Sequence, residues 1–322
     1  MTLDQARAVA DAVLYEGYLL YPYRASSSKN RSRWQFGVLG PPQASPHSFA
    51  EQPSMTMQCL LEPVRDDGGW APTTVAVHLR FLQLQTRSVE QLGAGGYQPV
   101  EELLVDGRSV LSWQEATECE IRLPPYALDD VFPGASTEPA EHRVQVAGGE
   151  EVEAILAGDG TPVGRLVRRR APLDATVRVA AGGDDGYARL TVAVRNTCPD
   201  EVTGKDEAIA VSLIGAHLLL VAERACFVSL LEPSVTAAAA AARCRQDRCY
   251  PVLAGPPGAR DVVLGSPIIL YDHPEIAAES AGALFDSTEI DEILTLRVMT
   301  MTDAEKDEAR ATDPRAAEII DR

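Results

Sequence analysis

Residues 74–87 read TVAVHLRFLQLQTR. Val75, Val77, Leu79, Phe81 and Leu84 are interleaved with polar or small residues, the pattern of a strand with one face buried and the other wet or covered. No glycine or proline breaks the run, and its β-branched and aromatic side chains suit a pleated surface. A strand here is the first expectation.

The same pattern extends in both directions. WQFGVL (34–39) and TMQCLLEPV (56–64) precede it; ATECEIRLPPY (116–126), HRVQVAG (142–148), EVEAILAG (151–158), ATVRVAAG (175–182) and YARLTVAVRNTC (187–198) follow, separated by turns such as AGGE, GDGTP and GGDDG. Many short strands at this spacing favour an antiparallel sandwich or open barrel over an alternating α/β fold. AVSLIGAHLLLVAE (210–223) fits a buried helix and a buried strand equally well by period. Helical signals lie at the two ends. Leu3, Ala6, Val9, Ala10, Val13 and Leu14 follow a 3.6-residue period. SVTAAAAAARC (234–244) offers Ser234 as a cap before an alanine run, and DSTEIDEILTLRVM (286–299) has an acidic helix opening. Thr302 and Glu305 match a capping box, and Pro314 suits the start of a terminal helix. VVLGSPIILYD (262–272) reads as a further strand, with Pro267 favouring a sheet edge. The expected fold is α+β: an antiparallel β-rich sandwich or open barrel with a helical C-terminal segment. Residues 1–225 form a β-rich body with a short N-terminal helix, and residues 226–322 form a mixed segment ending in helices and packed on that body as one unit.

A chain of 322 residues buries roughly three quarters of its unfolded surface, so the core needs no metal or disulfide staples. No apolar run approaches the ~20 residues of a membrane span. Asp4, Asp11 and Glu16 stand where a signal peptide would be basic and then apolar, so a cytoplasmic location is expected. The six cysteines, Cys59, Cys119, Cys198, Cys226, Cys244 and Cys249, read as reduced thiols and small buried hydrophobes. A net charge of −18 repels nucleic acid and anionic membrane, and leaves a basic protein partner open.

No G-x-S-x-G elbow, phosphate-binding lysine motif or dinucleotide fingerprint is present, and GPPGARD and GAGGY read as loops. Cys244 and Cys249, four residues apart without a second close pair, make a poor zinc site unless Cys226 or His217 folds alongside. Asp272, His273, Glu275 and Glu279 offer oxygen and imidazole ligands for a divalent ion such as nickel or zinc, although such carboxylates also occur where an acidic protein meets water. His78 lies on a strand opposite apolar neighbours. The basic island RLVRRR (165–170) reads as a solvated strand or loop, with a partner-binding patch as the minority reading. No cofactor is expected.

LYEGYLLYPYRASSSKNRSRW (14–34) holds four tyrosines, four basic residues and a tryptophan, with no acid between Tyr18 and Trp34. Its tyrosines can line a core edge while its cations face a partner, since arginine pairs with carboxylates and stacks on rings. Tyr21, Tyr23, Arg24, Lys29, Arg31, Arg33 and Trp34 are the candidate partner-binding residues.

This opening stretch, continued to Leu39, and the run from Ser266 to Arg322 together resemble an uncharacterised protein family encoded in high-affinity nickel-iron hydrogenase gene clusters. TMQCLL and FVSLLEP fit the same family, and the likeness runs over nearly the whole chain. At CRQDRCYPVLAG the chain departs from the family pattern, with Cys249-Tyr250 replacing a non-cysteine pair. The resemblance implies a cytoplasmic accessory role in hydrogenase biogenesis: assembly, cofactor delivery or protection of an immature subunit. The leading reading is an accessory protein that binds a hydrogenase subunit or maturation factor without catalysis of its own. Two other readings are a metal-handling protein or metalloenzyme using Asp272, His273 and Glu275, and a structural component retained in the hydrogenase complex.

Overall fold

A computed structural model of the chain describes residues 2–15, 36–66, 69–70, 73–128, 138–276, 301–302, 306–307 and 310. Helix α1 (Thr2–Tyr15) opens it, close to the expected span. The strands follow in order: β1 (Ser54–Pro63), the short pair β2 (Arg65–Asp66) and β3 (Gly69–Trp70), β4 (Thr74–Gly93), β5 (Gly96–Val100), β6 (Glu102–Val105), β7 (Arg108–Leu111), β8 (Trp113–Arg122), β9 (Tyr126–Ala127) and β10 (Ala140–Val146). After these come β11 (Gly149–Leu156), β12 (Pro162–Arg170), β13 (Leu173–Asp184), β14 (Tyr187–Asn196), helix α2 (Lys205–Ala210), β15 (Ile214–Glu223), β16 (Ala225–Val228), helix α3 (Ala238–Ala241), β17 (Tyr250–Leu253) and β18 (Val262–Ser266).

Two antiparallel sheets carry the architecture. The smaller has five strands in the order β10-β13-β14-β1-β16; the larger has nine, in the order β11-β12-β4-β15-β18-β17, with β5, β8 and β9 also paired to β4. Neither order returns on itself, so the open sheets replace the barrel alternative. Alternation builds the core. Met55, Met57, Cys59 and Leu61 of β1 share one buried cluster with Ala188, Leu190, Val192 and Val194 of β14 and with Val75, Val77, Leu79 and Phe81 of β4. Successive strand side chains point to opposite faces, so every second residue enters this layer between the sheets. Strands beyond residue 225 complete both sheets: β16 joins the smaller, and β17 and β18 the larger.

The outer face of the large sheet is covered by α1. Ala6, Val9, Ala10 and Val13 pack on Leu219, Val252, Val262 and Leu264. Leu14 and Tyr15 pack on Leu82, Leu84 and Ile214. Gly215, with φ +62, passes beneath the helix end, where a Cβ would lie 3.0 Å from Leu14 O.

β4 runs beyond the sandwich. Residues 74–82 pair with β15 and residues 86–91 with β12 on one edge, while β8 and then β5 take the other. The extension has its own small core of Val89, Leu103 and Ile155, with Val100, Val105, Val110, Val163 and Leu166 around it. The hairpin of β6 and β7 contributes Leu103, Val105 and Val110 to that core. We call this part of the large sheet the arm.

Several expectations need correction. Residues 36–39 are not a strand: Gly37 takes φ +59, its Cβ position lies 2.8 Å from Pro267 Cγ, and Leu39 makes only an isolated bridge to Leu213. Buried Asn196 fixes this segment by donating to Leu39 O and Val211 O, both at 2.9 Å. The ambiguous run at 210–223 is a strand from Ile214 onward. Pro267 follows β18 rather than sitting within it, and β18 is an inner strand between β15 and β17. The alanine run forms only one helical turn, α3, entered through a turn in which Ala237 N–H donates to Ser234 Oγ at 3.3 Å. The helices expected over 286–299 and from Pro314 lie outside the described residues, as does Glu305; Lys306 N–H donates to Thr302 O at 3.0 Å. Among the described residues no helix is long and apolar enough to cross a membrane.

Phe81 is fully buried where the sheets meet. Phe81→Ala is expected to lower unfolding free energy by about 3–5 kcal/mol, because the sheets cannot close the space left behind. Chemical denaturation measures it, and a loss below about 1 kcal/mol would contradict the shared core.

Candidate functional site

Buried charge gathers between α1 and the outer face of β4 and β8. Arg7, Asp11 and Tyr15, spaced four residues apart, lie along one side of the helix. On the sheet, His217, Arg80 and Glu120 stand opposite one another on β15, β4 and β8, and the next outward-facing row places His78 opposite Arg122. The Arg7 guanidinium donates to both oxygens of Glu120, at 2.5 and 2.7 Å. His78 Nδ1 lies 3.0 Å from Glu120 Oε1, and Arg122 Nε donates to the same oxygen at 3.0 Å. Arg80 donates to Asp11 at 2.5 Å, and the Tyr15 hydroxyl donates to Glu118.

These contacts decide the ionisation. The Arg7 hydrogen bonds above all, with His78 and Arg122, hold Glu120 well below the usual carboxylate range despite its partial burial. Glu120 in turn raises the Arg7 pKa. His217 is fully buried; burial first, then the Arg80 charge, lowers its pKa to about 3. Its Nδ1 lies 2.8 Å from Gly215 O, an arrangement that places the neutral ring's proton on Nδ1. His217 Nε2 and Arg80 Nη1 are buried without hydrogen-bond partners among the described residues, a cost that the neighbouring ion pairs and apolar contacts of α1 must offset. A carboxylate fixed as an anion and a histidine fixed as neutral make poor proton carriers at neutral pH. The arrangement clamps a helix onto a sheet.

Of the partner-binding residues and the acidic metal group singled out by sequence, only Asp272, His273 and Glu275 are among those described. Tyr21, Tyr23, Arg24, Lys29, Arg31, Arg33, Trp34 and Glu279 lie outside the described residues. Asp272 accepts from Ser229 Oγ at 2.5 Å and from Leu253 N–H at 2.8 Å, so both its oxygens serve the fold. His273, at φ +54, donates its backbone N–H to Leu253 O, and its Nδ1 lies 3.2 Å from Gly255 O. Glu275 lines a cleft of about 280 Å³ with Gln5, Val9, Gly255 and Ile276. Among the described residues no group of three or more His, Cys, Asp and Glu side chains is placed to hold a metal ion. Burial pushes the Cys59 and Cys249 thiols up, and raises Cys244 against the pull of Arg189, so none of the three favours the thiolate a metal or electrophile requires.

The basic island is a strand, one of the two structural readings expected for it. It is β12, an inner strand whose arginines are taken up within the sheet: Arg165 by Glu90 at 2.6 Å and by the Tyr97 ring, Arg168 by Glu153 at 2.9 Å, Arg169 by Glu150 at 2.7 Å and Arg170 by Glu151 at 2.5 Å. Sequence reasoning missed the clamp under α1 as well. Its one local signal is the spacing of Arg7, Asp11 and Tyr15; the partner residues are more than 60 positions away. No family model and no curated protein matches the chain significantly.

The buried histidine yields a pH test. His217 stays neutral in the folded chain and gains a proton on unfolding below about 6.5, so its contribution to stability is complete above that pH and is lost progressively toward pH 3. Glu120 acts in the same direction over a lower range, beginning near its ordinary carboxylate pKa. Denaturation curves between pH 4 and 6 are expected to show a slope shallower by about one proton in His217→Phe than in the parent chain. Equal slopes would contradict a neutral buried imidazole.

Proposed function

We propose that the chain is a hydrogenase accessory or assembly protein that acts by protein–protein binding, without catalysis of its own. The observation that carries the binding role is the arm. Leu92, Tyr97, Leu104, Val152 and Leu156, five of the eleven exposed large hydrophobic residues among those described, all lie on it. Exposed apolar side chains on one part of a sheet favour association with another macromolecule. The hydrogenase setting comes from the sequence resemblance, which points to a hydrogenase subunit or a maturation factor as the partner. The segment containing Tyr21, Tyr23, Arg24, Lys29, Arg31, Arg33 and Trp34 is proposed as a second contact, its cations suited to an acidic surface.

Capture from cells expressing the whole gene cluster, compared with cells lacking the hydrogenase subunits, tests this reading. The tagged chain is expected to retain a hydrogenase subunit or maturation factor. Arg31→Glu with Arg33→Glu is expected to reduce capture severalfold with the melting temperature unchanged. Capture of neither class of partner would overturn the proposal, and undiminished capture by the double variant would remove the basic segment from it. Co-purification with mature, active enzyme at fixed stoichiometry would make the chain a retained structural component.

A further inference from the structure

We infer that the free edge of β11 is a docking site for an extended, basic segment of a partner protein, which adds to the large sheet as its next strand. The inference rests on the reading of the arm as the binding element. β11 ends the sheet order, and its hydrogen-bonding edge opposite β12 is unpaired among the described residues. Seven of its eight residues are exposed and no described element covers its edge, so what guards it against indiscriminate pairing is the charge of Glu150, Glu151 and Glu153. Pairing with β12 runs regularly from Gly149 to Ile155, and the only irregularity falls at Ile155/Leu156, beyond the glutamates. A regular edge of this kind is a template for another strand.

Charge selects the occupant. β12 carries Arg165, Arg168, Arg169 and Arg170, and β11 answers with Glu150, Glu151 and Glu153. After pairing with β12, the three glutamate side chains remain 52, 58 and 63% exposed. A carboxylate has lone pairs for more than one donor, so each can accept from a second cation on its outer side. Glu151 and Glu153 share one face of β11, while Glu150 lies on the other with Val152 and Leu156, both more than half exposed. A partner strand with lysine or arginine at alternate positions meets Glu151 and Glu153 along the first face, and its intervening side chains meet Val152 and Leu156 along the second. A second copy of this chain paired through the same edge would instead bring three more glutamates to the seam, which like-charge repulsion disfavours. The net charge of −18 draws basic segments toward the chain from a distance.

Hydrogen exchange of the full chain tests the edge. The probe is an eight-residue peptide alternating lysine and threonine; the controls are a glutamate–threonine peptide and a lysine–threonine peptide with a central proline. The basic peptide is expected to slow amide exchange severalfold within 149–156, the controls to leave it unchanged, and added salt to remove the effect. The Glu150→Gln, Glu151→Gln, Glu153→Gln variant is expected to bind the basic peptide about tenfold more weakly. Folding of that variant is checked by unchanged exchange in β1 and β14. Protection outside 149–156, equal protection by the acidic peptide, or full affinity in the folded variant would overturn the inference. Protection that rises with protein concentration alone would assign the edge to a second copy and overturn it too. Failure of this experiment beside successful partner capture would remove the edge and leave the binding role in place.

Discussion

The structure depends on β4 having a partner on both edges along nearly its whole length. Its 20 residues span roughly 66 Å at the usual strand rise, whereas β15 and β8 have 10 residues each. Unpaired backbone amides buried within a sheet are costly, so the second half of β4 requires partners of its own. β12 and β5 provide them. The arm is thus a consequence of one long strand, and the packed layer between the sheets holds its root in place.

The two faces of β4 settle their demands differently. Val75, Val77, Leu79 and Phe81 enter the common core, where burial alone stabilises them. His78 and Arg80 face the other way, and a buried guanidinium or imidazole requires hydrogen-bonding or charged company. α1 supplies Arg7 and Asp11, and β8 supplies Glu120 and Arg122, so the helix is seated partly by ion pairs and partly by Ala6, Val9, Ala10 and Val13. The arginines of β12 follow the same logic. Their charge is matched by glutamates of β11 and β4.

Much of the sheet was legible because alternation is local: Val75 to Phe81, Leu190 to Val194 and the helical period of Leu3 to Leu14 each declare a buried face within a few residues. What was not legible depends on contacts between distant parts of the chain. Arg7 meets Glu120 across 113 positions, and nothing in the local spacing joins them. RLVRRR looked solvated because its glutamates belong to another strand. WQFGVL has the composition of a strand, yet its described residues 36–39 form none: Gly37 takes φ +59 beside Pro267, and Leu39 makes only an isolated bridge. In the acidic group, Asp272 proved to be tied to Ser229 and Leu253, a use that residue type alone does not distinguish from metal ligation.

The role proposed for this protein is to present a sheet extension to another macromolecule, in the hydrogenase setting the sequence resemblance implies. Hydrogen exchange of the chain with and without the hydrogenase subunits proposed as its partners tests that role most directly. The account predicts slower exchange across 92–104 and 149–156, with the core strands β1 and β14 unchanged. Slower exchange confined to the cleft around Glu275 and Gly255, with the arm unaffected, would contradict it.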